Sequence, residues 1–77
     1  ALIMRRPIVA TLIRRGKPVS PRRYAKLDNA IPRYTQLLMQ YGQPLDVVEF
    51  SHADTGLQIG TIRVHAGGRL TTDYIWD

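Results

Sequence analysis

The stretch SPRRYAKLDNAIPRYTQLLMQYG, residues 20–42, decides the fold. In it Tyr24, Leu27, Ile31, Tyr34, Leu38 and Tyr41 recur at alternating steps of three and four residues. That spacing puts them on one face of a helix. Ser20 suits an N-cap, and Pro21 suits the first helical position, where a missing N–H costs nothing. At the far end Gly42 offers a left-handed cap, and Pro44 prevents continuation. Pro32 interrupts this pattern, because it removes one backbone hydrogen bond and crowds the carbonyl of Asp28. The stripe keeps its phase across Pro32, which predicts one kinked helix over residues 20–42 rather than two.

On either side of this helix the pattern changes to strand. Ile8 to Ile13 (Ile-Val-Ala-Thr-Leu-Ile) is rich in β-branched residues and is bounded by Pro7 and by Arg14-Arg15-Gly16-Lys17-Pro18. It reads as a strand buried on much of both faces. Leu45 to His52 is a second, with Val48 and Phe50 on one face and Val47 and Glu49 on the other. Ala53-Asp54-Thr55-Gly56 is a turn. In Leu57 to His65 the apolar positions switch phase, from Leu57 and Ile59 to Ile62 and Val64. Gly60 sits at the switch, which predicts a β-bulge. Ala66-Gly67-Gly68-Arg69 is a second hairpin turn, and Leu70, Thr72, Tyr74 and Trp76 alternate along a final strand.

The expected fold is therefore α+β in the order β-α-β-β-β. It has a mostly antiparallel four-stranded sheet with one kinked helix packed on one face. At 77 residues the chain reads as one domain, residues 1–77, with residues 1–6 an appended leader or a disordered end. A domain this small buries only roughly 60–65% of the surface its unfolded chain exposes, so deep internal pockets are not expected. The second face of the sheet has no layer to cover it.

Cysteine is absent, which excludes disulfides, thiolate metal sites and a thiol nucleophile. Apolar runs are too short for a membrane span or a signal-peptide core, so a cytoplasmic location with no membrane partner is expected. The net charge of +5 is unevenly distributed. Residues 1–33 hold nine Lys or Arg against Asp28, a balance of +8, whereas residues 34–77 hold Arg63 and Arg69 against five acids, a balance of −3. One part of the protein should attract anions.

The densest cations lie between Arg14 and Arg23. Arg22 and Arg23, read as the helix's first turn, would oppose the macrodipole, so local stability does not explain them. A phosphate held by free N–H groups, the Ser20 hydroxyl and Arg forks would. The expected nucleic-acid-binding set is Arg14, Arg15, Lys17, Arg22 and Arg23, extended along the helix by Lys26 and Arg33. The partner is DNA or RNA, or an acidic protein surface. The alternative is a protein-interaction or inhibitor module, with homodimerisation possible, that uses the open sheet face or an edge strand with Tyr74 and Trp76 as contacts. No catalytic group, cofactor or metal site is expected. His52 and His65 stand too far apart along a hairpin to serve one bond, and neither a catalytic triad nor a phosphate-binding Gly-rich loop is present.

Overall fold

The computed structural model describes residues 7–74. Residues 1–6 and Trp76, with the expectations placed on them, lie outside this range. Within it the elements are β1 (Ile8–Arg14), β2 (Lys17–Tyr24), α1 (Leu27–Tyr41), β3 (Val47–His52), β4 (Gln58–Val64) and β5 (Leu70–Tyr74). The α+β class and the single helix on an antiparallel sheet are as expected. The sheet, however, has five strands in the order β2-β1-β3-β4-β5. Every neighbouring pair is antiparallel, so β2 and β3 run parallel on either side of β1. A chain leaving β2 for β3 must cross over β1, and α1 makes that crossing over one face.

The extra strand is the main correction to the sequence reading. Residues 20–24 are not the start of the helix: with residues 17–19 they form β2, which folds back on β1 through Arg15 and Gly16, whose φ values of 56° and 75° make a two-residue hairpin turn. Pro18 and Pro21 argue against a strand in the middle of a sheet, but β2 is an edge, where a missing N–H is tolerated. Helix α1 begins at Leu27, after an extended Lys26 with φ −142° and ψ 145°. Ser20 is therefore not an N-cap, and Asp28 supplies the favourable negative charge in the first turn. At the other end Gly42 does close the helix, donating its N–H to the Leu38 carbonyl at 2.8 Å. It does so at φ −65° rather than in the left-handed region. Glycine is needed because a Cβ there would collide with the Leu38 carbonyl oxygen.

Helix α1 continues through Pro32 as one element. Its buried line is Leu27, Ala30, Tyr34 and Leu38, with Ile31 partly covered. The expected stripe ran longer. Tyr24 instead reaches the core from β2, and Tyr41 at 72% exposure is outside it. Against this helix pack Ile8, Ala10 and Leu12 of β1, Val48 and Phe50 of β3, and Ile59, Ile62 and Val64 of β4. Ile59 joins the even-numbered residues of β4 because of the bulge predicted near Gly60: Phe50 pairs with Gly60 and Ser51 with Gln58, leaving Ile59 as the additional residue.

The opposite sheet face carries Val9, Thr11 and Ile13 of β1 beside Ser51, Glu49 and Val47 of β3. These six are half-buried. Among the described residues no other layer covers them, and no helix is long and apolar enough to cross a membrane.

The loop between α1 and β3 is tied down by Asp46. Its carboxylate accepts the Gln43 N–H at 2.8 Å and Arg14 Nη2 at 2.8 Å, with Arg14 Nε at 3.2 and 3.3 Å from its two oxygens. Arg14 also donates to the Tyr41 carbonyl at 3.4 Å, placing a cation at the helix C-terminus. The Arg14 hydrogen bonds hold the Asp46 carboxyl below its ordinary pKa; burial opposes this, and the Gln43 N–H reinforces it. A depressed folded-state pKa stabilises the fold above the unfolded carboxyl's pKa, and that contribution fades as pH falls through the folded value. Asp46→Ala should therefore cost about 1.5–3 kcal/mol at neutral pH. Urea unfolding of both proteins should show the difference shrinking once the wild-type carboxyl is protonated.

Candidate nucleic-acid interface

The seven cations picked out in the sequence do not form one patch. Arg14 is committed to Asp46, as part of the scaffold. Arg15 lies in the β1–β2 turn and Lys17 follows it, and Arg15, Gly16 and Leu45 line a shallow hollow at that end of the sheet. Arg22 and Arg23 are consecutive on a strand and so project to opposite faces. Arg22 pairs with Ala10 on the helix side, and Arg23 pairs with Val9 on the open side. Lys26 precedes the helix, and Arg33 lies two turns into it. Among the described residues Arg15, Lys17, Arg22, Arg23, Lys26 and Arg33 make no ion pair.

What the fold does bring together is Arg22 and Arg33. Both line a groove of about 300 Å³ between β2 and α1, with Val19 and Ser20 on the strand side and Leu37 on the helix side. Tyr24, Tyr34 and Leu12 complete it. A second hollow continues from Arg22, Tyr24 and Arg33 towards Arg23, Asp28 and Asn29. A third runs along the outer helix past Arg33 and Leu37 to Gln40 and Tyr41. The three make a continuous surface with Arg33 in each.

The groove depends on a backbone irregularity that periodicity cannot reveal. Along β2, Arg22 pairs with Ala10 while Val19 pairs with Leu12, so one additional residue lies between these two pairs. Ser20, at φ 39°, and Pro21 make this bulge. In a regular strand positions 19 and 22 would face opposite ways. Here both stand opposite residues of the core face, and both line the groove. The positive φ of Ser20 is uncommon for a residue with a Cβ, and bulges of this kind are often found beside binding sites.

No family model, curated protein or solved structure matches the chain.

The groove's floor is electrostatically responsive. Burial, foremost, and then the neighbouring Tyr24, push the Tyr34 hydroxyl above its ordinary pKa, while the positive charge of Arg22 pulls it down. Arg22 is thus close enough to be felt at the bottom of the groove. The acid on this surface is Asp28, at the helix start, in the continuation rather than in the groove itself. It sets a negative charge where the helix N-terminus would otherwise favour an anion. Residues 20–23 are therefore not a helix start, and the cations the fold brings together stand between a strand and a helix flank.

Neither histidine belongs to this surface. His52 is buried at the end of β3, and His65 follows the far end of β4 with Nε2 2.9 Å from Thr71 Oγ1. The antiparallel pairing of β3 and β4 separates them to opposite ends of the hairpin. Tyr74 ends β5, paired with Gly60, on the edge of the sheet remote from the groove. Among the described residues no cluster of His, Asp and Glu could hold a metal ion.

Arg22→Gln should leave the fold intact and raise the Tyr34 titration further. A pH series of tyrosinate absorbance would read this, and an unchanged high-pH transition would remove Arg22 from the floor of the groove.

Proposed function

We propose that this protein is a small non-catalytic binding module that contacts nucleic-acid phosphates along the β2–α1 surface. The observation that carries the reading is the placement of Arg22 and Arg33 on the two walls of one groove, with neither neutralised by an acid among the described residues. Two arginines lining a common space suit phosphate oxygens, which accept paired N–H donors from guanidinium forks. Lys26, just before the helix, extends the cationic surface at one end, where Arg23 also lines the second hollow, while Arg15 and Lys17 at the turn lie apart from it. Arg14 is left out of the contact set, because releasing it would strand the buried Asp46 carboxylate.

Binding of this kind releases counterions, so affinity falls as salt rises. For a single strand the slope of log affinity against log salt changes by about 0.7 per phosphate contact. Replacing Arg22 and Arg33 together with Gln should flatten that slope by about 1.4 and leave the circular dichroism spectrum unchanged. Asp28→Asn should strengthen binding, by removing the carboxylate from the same surface. Fluorescence anisotropy with labelled oligonucleotides across a salt series measures both. Undetectable binding of DNA and RNA at low salt would end this reading.

A second reading, association through the open sheet face, draws on Val9, Ile13 and Val47, which form an apolar group beside Glu49. It expects a homodimer in sedimentation that Ile13→Lys dissociates. A monomer at all concentrations would count against it.

A further inference from the structure

Building on the phosphate-binding reading, we propose that the β2–α1 groove receives an unpaired base, so that the ligand is a single strand rather than a duplex. The groove is not simply a cationic surface. Val19 and Leu37 are exposed at 40% and 39% on its opposite sides, above a floor of Leu12 and Tyr34. Solvated cations do not need apolar walls, and an inorganic anion gains nothing from them. An apolar slot bracketed by two guanidinium groups is complementary to an anion that carries a flat body with apolar faces. A nucleotide has this character: its base can lie between the aliphatic side chains while its phosphate stays near Arg22 and Arg33.

The size and the backbone support the same occupant. About 300 Å³ is at the small end of ligand sites, enough for one unit of a strand and far too little for a double helix. A paired base could enter only after leaving its stack, at a cost of a few kcal/mol that a single strand avoids. The Ser20–Pro21 bulge turns Val19 and Arg22 to the same side, so the apolar wall and the cation face one space. Ser20 also lines the groove, so a polar residue stands beside it for a base edge. Arg33 and Leu37 are four residues apart on α1 and repeat this pairing of cation and aliphatic wall on the other side.

The test compares three ligands of equal length at one salt concentration: a mixed-sequence single strand, the same strand made abasic, and its duplex. The single strand should bind at least about fivefold more tightly than the abasic strand, taking the lower range for a base stacked on an aromatic ring as the scale for this slot. Val19→Ala with Leu37→Ala should abolish that difference, leaving affinity for the abasic strand and its salt slope unchanged. Methyl resonances of Val19 and Leu37 should shift with the single strand and stay in place with the abasic one. Equal affinity for all three ligands would overturn the base site while leaving phosphate binding intact. Failure to bind any of them at low salt would overturn both. An acidic peptide that competes the strand away and moves the same methyl groups more strongly would reassign the groove to a protein ligand.

Discussion

Three aromatic rings in contact hold the helix to the sheet. Tyr34 on α1 meets Phe50 on β3 edge to face at 6.1 Å, and Tyr24 on β2 meets Tyr34 in the same manner at 5.9 Å. Phe50 is fully buried and Tyr34 nearly so, which makes this line the central support of a small core. Perpendicular rings place a positive edge against a negative face, so the contact restrains angle as well as distance. It therefore links the edge strand, the helix and the middle of the sheet in one packing unit. The groove lies beside this line, with Tyr24 and Tyr34 in its lining, and its width is set by how the rings pack.

The edge strand serves two ends through the same residues. Pro18 and Pro21 remove donors from an exposed strand, and Lys17, Arg22 and Arg23 put charge on it. Both devices discourage pairing with another chain. The bulge contributes further, because it breaks the regular ladder while turning Val19 and Arg22 towards α1. A feature that protects an edge from aggregation thus also furnishes one wall of the proposed site. At the other end of β1, Arg14 shows how a basic residue can be diverted into structure: one guanidinium satisfies a buried carboxylate and a helix-end carbonyl.

Much of the fold is legible in the chain. The period of Leu27, Ile31, Tyr34 and Leu38 places the helix and its inward face, β-branched content between Pro7 and Arg14 places β1, and alternation with turn residues places β3, β4 and β5. The phase change at Gly60 announces the bulge of β4. Residues 20–24 read locally as helix and fold as strand, for a definite reason. Ser20-Pro21 satisfies the local rules for a helix start, and Tyr24 happens to fall three residues before Leu27. Prolines at 18 and 21 weigh against a strand unless it is known to be an edge, and edge position is a property of the assembled sheet. Gly16 after Arg15 was the available signal for a hairpin, but without a recognisable second strand it had no partner to turn towards.

The candidate site divides in the same way. Composition and order along the chain determined that the first 33 residues are strongly basic, that no thiol chemistry exists, and that Arg22 and Arg33 belong to the cationic set. Only the tertiary structure decided which cations lie together. It assigned Arg14 to Asp46, turned Arg23 to the open face, and set Arg22 across a groove from Arg33. Charge is a property of each residue and survives in the sequence. The direction of a side chain on a strand depends on register, and here a single additional residue at a bulge, held by pairing with β1, reverses the facing of everything beyond it.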